Sequence, residues 1–266
     1  MTAAKVLSLF KRVMRHLRKP RVVFSNSGFC PTCQRKVTFS ARNKWLRDYY
    51  LCPDCKSKPR ERALIRTLEM YFPDWQEKVI HESSPINRGA SVRLARECTH
   101  YIPSQLFSDV APGEEKNGVR CENLEHLTFS DGSIDLHVTQ DVMEHVFNPG
   151  TVFNEIARTL RPGGAHVFTV PIVNKHKPSC VRAKIGEDGQ VTHLLPPVYH
   201  GNPVSSDGAL VTVDWGFDIC RHIFETSGLY THIVHIDDLS HGIRAEYIEV
   251  LVTVKPGGNE AKGAGQ

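Results

Sequence analysis

Apolar positions along this chain change period from segment to segment, and each period predicts an element. In "KVLSLFKRVMRHLRKP", Val6, Leu9, Phe10, Val13, Met14 and Leu17 recur at helical spacing with the bases mostly opposite, and Pro20 stops the run. That pattern predicts a basic amphipathic helix within residues 1–22. Further on, "ERALIRTLEMYF" brings Ala63, Leu64, Leu68 and Tyr71 to one helical face ahead of Pro73. Strand-like stretches follow at "KVIHES", "THYIPS", "GVRCEN", "IDLHVTQ" and "AHVFTVPI", separated by helix-like or loop segments such as "ASVRLARE" and "TVFNEIARTL". Strands alternating with helices predict an α/β fold with a mostly parallel sheet and helices on both faces. Ligands of such sheets bind beyond the carboxyl ends of the strands, so the residues that end each strand are the ones to weigh.

One crossover unit is complete in the sequence. Asp131-Gly132 makes a turn, "IDLHVTQ" a buried strand, and Asn148-Pro149 an N-cap and first helical position. The next helix places Val152, Phe153, Ile156, Ala157 and Leu160 on one side. "RPGG" ends it, with Gly163 or Gly164 expected to supply the positive φ of a C-cap.

A chain of 266 residues, 40% hydrophobic, can bury the core of one medium domain with an appendage. Its longest apolar runs fall short of the roughly 20 residues that span a bilayer, and Lys5, Lys11, Arg12 and Arg15 break the first segment. A cytoplasmic protein is expected, with peripheral membrane contact of residues 1–20 as one use of the first helix. Residues 1 to 60 carry fifteen Lys or Arg against two acids, Asp48 and Asp54, while the remainder carries eighteen bases and twenty-seven acids. A basic head on an acidic body suits nucleic acid, anionic lipid or a phosphorylated substrate, or attraction to its own body.

The head also carries the strongest local motif. "CPTC" and "CPDC" place Cys30, Cys33, Cys52 and Cys55 at the spacing of a four-cysteine zinc ribbon, in which two knuckles complete a tetrahedron about one ion. Four thiolates leave no open position for water, so the zinc is expected to be structural. The segment between the pairs, "QRKVTFSARNKWLRDYYL", suits a small hairpin. Cys98, Cys121, Cys180 and Cys220 lie singly and read as reduced thiols.

The stretch "LTFSDGSIDLHVTQDVMEHVFNPGTVFNEIARTLRPGGAHVFTVP" resembles the second half of the class I S-adenosylmethionine-dependent methyltransferases of the type 11 kind. In these a "LPF…SFDLV" strand is followed by "EH", "EIxRVLRPGG" and a "TVP"-like strand. The likeness is dense from Cys121 to Pro171 and looser over residues 78 to 252. It implies a Rossmann-like seven-stranded sheet whose last two strands are antiparallel, supplied by "YTHIVHIDD" and "YIEVLVTVK". The expected organisation is a basic helix at 1–22, a zinc ribbon at 23–60, a methyltransferase domain at 61–254 with an acceptor lid at 173–213, and a disordered tail at 255–266.

The resemblance puts "VIHESSPINRG" at the donor loop. Glu82 matches the family's acid, whereas Ser83, Ser84 and Pro85 stand where the family has glycines, leaving Gly89. Small hydroxyls can bond an amino-acid ammonium or carboxylate, but a proline has no N–H to offer. At the second strand, Ser104 and Gln105 stand where the family has a ribose-binding acid. Glu122, Asn123 and Leu124 match the adenine side, and Gln140 and Asp141, followed by Glu144 and His145, form the lip over the donor.

Methyl transfer to a hydroxyl needs a positioned acceptor and a base near neutral pH. His145 is the first candidate, with packing of the following helix as its structural alternative. The insertion holds "HLLPPVYHGNP", in which His193, Tyr199, His200 and Asn202 mix aromatic and polar groups, and His200 is the second catalytic candidate. The leading expectation is S-adenosylmethionine-dependent O-methylation of a small hydroxylated acceptor, a saccharide among them. Two alternatives stand beside it: an RNA methyltransferase that grips RNA with its basic zinc ribbon, and a non-catalytic binding protein on the same fold.

Overall fold

The computed structural model describes residues 21–201 and 207–257. The basic helix expected within residues 1–22 and the tail expected at 255–266 lie almost entirely outside that range, as does Asn202. Strands β1 (Phe24–Cys30) and β2 (Arg35–Ala41) form an antiparallel hairpin, followed by a short helix α1 (Leu46–Tyr49). The hairpin is not confined to the segment between the cysteine pairs: β1 ends on Cys30, which pairs with Arg35, and the turn between them holds the rest of "CPTC". Phe39, Ala41 and Tyr50 are fully buried with Cys30 and Cys52 in a miniature core.

Helix α2 (Pro59–Tyr71) joins this module to the body. Arg62 is fully buried in its first turns, with Nη2 donating to Tyr50 O at 2.8 Å and to Gly242 O at 2.7 Å. Its guanidinium sits 4.6 Å from the centre of the Phe39 ring. Gly242, at φ +67, brings its backbone so close to that ring that an added Cβ would lie 2.6 Å from it. One arginine thus spans the hairpin, the helix and the C-terminal segment, with its charge-assisted bonds replacing the water it gives up.

The body is built on strands β3 (Val79–Ser83), β4 (His100–Gln105), β5 (Glu115–Lys116), β6 (Val119–Cys121), β7 (Ile134–Gln140) and β8 (Leu160–Thr169). Helix α3 (Gly89–Glu97) links β3 to β4, and α4 (Pro149–Thr159) links β7 to β8. The insertion that follows folds into short strands β9 (Cys180–Val181), β10 (Ala183–Ile185), β11 (Val191–His193), β12 (Tyr199–His200), β13 (Ala209–Leu210) and β14 (Val213–Asp214). Helix α5 (Ile219–Ser227) and strands β15 (Tyr230–Val234) and β16 (Val250–Val254) complete the fold.

The main sheet has eight strands in the order β15-β16-β8-β7-β3-β4-β6-β5. Seven are those expected; the eighth, β5, is a two-residue edge strand hairpinned onto β6. Of the last two strands, only β16 opposes β8; β15, antiparallel to β16, runs with the parallel set. One face is covered by α2 and α3, with Leu64, Leu68 and Leu94 packed on Ile80, Leu136 and Val250. The other is covered by α4 and α5, with Phe153, Ile156, Ile219 and Ile223 on Phe168 and Leu251. Adjacent residues such as Val250 and Leu251 serve opposite faces, which is the period-2 geometry of a strand.

Two local expectations are revised. Helix α4 does begin after Asn148 with Pro149 in its first turn, but the Asn148 amide donates to Glu125 Oε2 at 2.8 Å and makes no cap bond. Its C-cap is Leu160 in extended conformation; Gly163, at φ +81, serves the irregular start of β8.

Candidate functional site

Beyond the carboxyl ends of β3, β4, β7 and β8 lies a cavity of about 820 Å³, within the range of small-molecule sites. Ser84, Gln105, Gln140, Asp141 and Pro171 line it from the sheet, and Val173, His200, Gly201 and Ala209 from the insertion. The N-terminal module contributes Trp45, Arg47 and Asp48, and the start of α2 contributes Lys58, Arg60 and Glu61. The cavity is therefore closed from three directions by parts distant in sequence.

At the lip, Asp141 takes a left-handed backbone with φ +52. Its Oδ2 meets Arg60 Nε at 2.7 Å and Arg47 Nη2 at 2.8 Å, and Thr169 Oγ1 donates to Oδ1 at 3.1 Å. Burial alone would raise the carboxyl pKa; Arg60 and Arg47 outweigh it and hold the group well below the usual carboxylate range. Part of the basic head is thus spent on the acidic body, as one of the charge readings anticipates.

Gln140 ends β7 with its Nε2 donating to Glu82 Oε1 at 2.7 Å, while its Oε1 is buried without a hydrogen-bond donor among the described residues. Glu82 is fully buried and points into the domain: Ser91 Oγ donates to Oε1 at 2.7 Å and Tyr101 OH to Oε2 at 2.6 Å. Desolvation raises its pKa against those bonds. Its place in the site is behind Gln140, not on the cavity wall.

Of the residues singled out from the sequence, Ser84, Gln105, Gln140, Asp141, His145 and His200 line the cavity. Glu82, Ser83, Gly89, Ser104, Glu122, Asn123 and Leu124 do not. Ser104 Oγ is bound to His81 Nε2 at 2.7 Å inside the sheet, and Glu122 is committed to Arg120 Nε at 2.6 Å and Thr128 N at 2.9 Å. Gly89, at φ +53, lets Glu61 pack where a side chain would stand, since an added Cβ would lie only 1.9 Å from Glu61 Oε2. Arg47, Arg60 and Tyr247 were not anticipated; the one visible signal was the run of bases Lys56, Lys58 and Arg60 after the second cysteine pair. His193 and Tyr199 are exposed in the insertion.

Behind the lip, the backbone from Met143 to Val146 is fastened to the end of the insertion. Trp215 Nε1 donates to Met143 O at 3.0 Å, Thr212 N to Glu144 O at 2.8 Å, and Thr212 Oγ1 to Val146 O at 2.6 Å. The rings of His145 and His200 meet edge to face with centroids 5.0 Å apart.

In the hairpin module the four sulfurs of Cys30, Cys33, Cys52 and Cys55 converge within 4.8 Å. Cys30 and Cys55 are 3.7 Å apart, as are Cys33 and Cys52. Thr32 Oγ1 lies 3.0 Å from Cys30 Sγ and 2.9 Å from Cys55 Sγ. Burial pushes the Cys33 thiol up to about 12. No helix among the described residues is long and apolar enough to cross a membrane.

A family model described as "Methyltransferase domain" matches residues 90–168. An uncharacterized methyltransferase of Mycobacterium sp. (strain JLS) is 41% identical over 46 residues, which span 17% of this chain and 18% of that protein. Among solved structures, an S-adenosylmethionine-dependent methyltransferase from Mesorhizobium loti is 15% identical, covering 73% of this chain and 97% of its own, with a TM-score of 0.44. DesVI from Streptomyces venezuelae is 12% identical, covering 76% of this chain and 94% of its own, with a TM-score of 0.46. The segment that matches the methyltransferase-domain model runs from α3 through β8 of the mostly parallel sheet.

Proposed function

We propose that the protein transfers a methyl group from S-adenosylmethionine to a small hydroxylated acceptor, with both bound in the cavity above β3, β4, β7 and β8. The observation that carries this reading is Gln140. Its Oε1 is buried without a donor among the described residues at the end of β7, inside the segment that matches the methyltransferase domain model. An unsatisfied acceptor of this kind suits the donor's ammonium. Gln105, at the end of β4, faces the same cavity where the resemblance expects the ribose contact. Ser84 offers a hydroxyl from the loop, and Lys58 and Arg88 offer positive charge for a carboxylate.

When bound, S-adenosylmethionine would supply a sulfonium methyl group to the acceptor oxygen, the C–S electron pair staying on sulfur and the hydroxyl proton being released to solvent. The chain's part is to align the acceptor behind the methyl group and keep water out. Pro171, Val173 and Ala209 supply apolar wall. His145 and His200 stand on the insertion side and provide for the charge that develops as the hydroxyl loses its proton. The segment 173–213 acts as the acceptor lid, and a saccharide is the acceptor class its aromatic and polar mix suits.

The hairpin module is a structural zinc ribbon in this reading. Tetrahedral Zn–S bonds of about 2.3 Å separate neighbouring sulfurs by roughly 3.8 Å, and the Cys30–Cys55 and Cys33–Cys52 pairs stand at 3.7 Å. Cys30, Cys33, Cys52 and Cys55 would hold the ion, and Thr32 would donate to one of the sulfurs.

Titration calorimetry of the zinc-replete protein with S-adenosylmethionine and with its demethylated product tests the donor reading. Binding of both is expected; absence of heat and of competition for either would leave a binding protein on a methyltransferase fold.

A further inference from the structure

We infer that Glu144, His145 and His200 form a second metal site, for one borderline divalent cation of the zinc class, on the insertion side of the cavity. Glu144 is only 1% exposed, and neither carboxylate oxygen accepts a hydrogen bond from the described residues. A desolvated carboxylate without donors is costly, and a cation is the partner that removes the cost. Both neighbours that could serve instead are too far: His145 Nε2 is 3.8 Å and His200 Nδ1 3.7 Å from Glu144 Oε1.

The tautomer of His145 points the same way. Its Nδ1 lies 2.8 Å from Leu210 O, and a carbonyl can only accept, so Nδ1 carries a proton and Nε2, on the side toward Glu144, is the nitrogen left to bind a metal in the neutral ring. This is the arrangement by which proteins fix a metal-binding imidazole. One ligand atom from each residue lies within 4.8 Å of the others. Tetrahedral bonds of about 2.0–2.1 Å place ligands roughly 3.4 Å apart, so the two glutamate–histidine pairs, at 3.8 and 3.7 Å, need close only slightly, and the two imidazoles, within 4.8 Å, are brought in by side-chain rotation.

Two imidazoles and one carboxylate select a borderline transition metal over magnesium or calcium, which take oxygen ligands. Three protein ligands leave at least one position open, unlike the closed four-sulfur site. Since His145 and His200 line the cavity, the open position faces it. The use of the ion rests on the proposed function: a hydroxyl oxygen bound there becomes more acidic, which is what its methylation requires. Its occupancy does not rest on that reading, because binding needs no methyl donor.

The test is titration of the full-length protein carrying one zinc per chain with Co²⁺ in the absence of S-adenosylmethionine, followed by absorption spectroscopy and elemental analysis. The expected result is one further cobalt per chain with d–d bands and no sulfur charge-transfer band, bound at least about tenfold more weakly in His200→Ala and in Glu144→Gln. Retention of the cysteine-bound zinc in each variant shows that the fold has survived. No cobalt uptake by wild type, uptake only with sulfur charge-transfer bands, or equal affinity in both variants would overturn the site. Cobalt uptake without S-adenosylmethionine binding would leave this site standing and remove the methyl-transfer reading; the reverse result would do the opposite.

Discussion

Arg60 Nε lies 2.7 Å from Asp141 Oδ2, tying the first turn of α2 to the residue that follows β7. The same oxygen meets Arg47 Nη2 at 2.8 Å, so the hairpin module reaches the cavity lip through one carboxylate. The pairing makes the hairpin module part of the site, because the guanidinium groups that fasten it also line the cavity.

Breaking that junction is expected to loosen both. Asp141→Asn leaves two partly buried guanidinium groups without their charge partner and should cost on the order of 3 kcal/mol in chemical denaturation. The carboxyl pKa is depressed in the fold, so its contribution is present above the unfolded value of about 3.9 and is lost as pH falls through the lower folded value. Wild type should lose this increment only in strong acid, and the variant should show no such loss.

Cys52→Ser, or prolonged chelation, is expected to release about one zinc per chain and to unfold the hairpin first, since its own core is small. Elemental analysis with hydrogen exchange over residues 24–58 reads both effects. Full zinc retention in Cys52→Ser would argue against four-sulfur coordination.

Three histidines inside the sheet predict an earlier acid transition. His81 Nδ1 is 2.8 Å from His137 Nδ1, His137 Nε2 is 2.8 Å from Thr159 Oγ1, and the His166 ring stacks on Phe168 at 4.2 Å. Burial lowers His81 and His166 to about 3, and His137 also falls well below its ordinary value. Between about pH 6.5 and pH 3 the unfolded chain takes up protons that the folded chain excludes, so stability falls with pH across that window. Each histidine contributes a slope of about 1.4 kcal/mol per pH unit, and His166→Leu should remove one such slope from the pH dependence of the unfolding free energy.

Gln140→Ala is expected to weaken S-adenosylmethionine binding about tenfold, the value of one hydrogen bond near the upper end of the usual range. Glu82→Gln acts differently. It turns an acceptor of three bonds into a group that must point a donor at Tyr101, Ser91 or Gln140, and should cost on the order of 1–3 kcal/mol of stability. Ser84→Gly should be tolerated, because Ser84 sits at φ +56, where glycine is unstrained. Calorimetry and denaturation on the three variants separate contact from support; unchanged affinity in Gln140→Ala would place the donor's ammonium elsewhere.

Strand and helix identity was legible in the sequence because it depends on short-range periodicity. "IDLHVTQ" and "TVFNEIART" became β7 and α4 nearly residue for residue, and the two cysteine pairs fell within ligand distance of one another as their spacing predicts. Period 2 or 3.6 sorts neighbouring residues onto faces regardless of what packs against them. Partnership at the site was not legible. Glu82 stands where the sequence resemblance expects a donor-loop acid, yet its carboxylate turns inward to Ser91, Tyr101 and Gln140. Arg47 and Arg60 read as surface bases until the docked module sets them against Asp141. His200 meets Glu144 only because Thr212 and Trp215 draw the insertion back across the loop after β7. Tertiary structure decided these pairings because they depend on how separate elements pack against one another, and no spacing along the chain encodes which buried charge will find which partner.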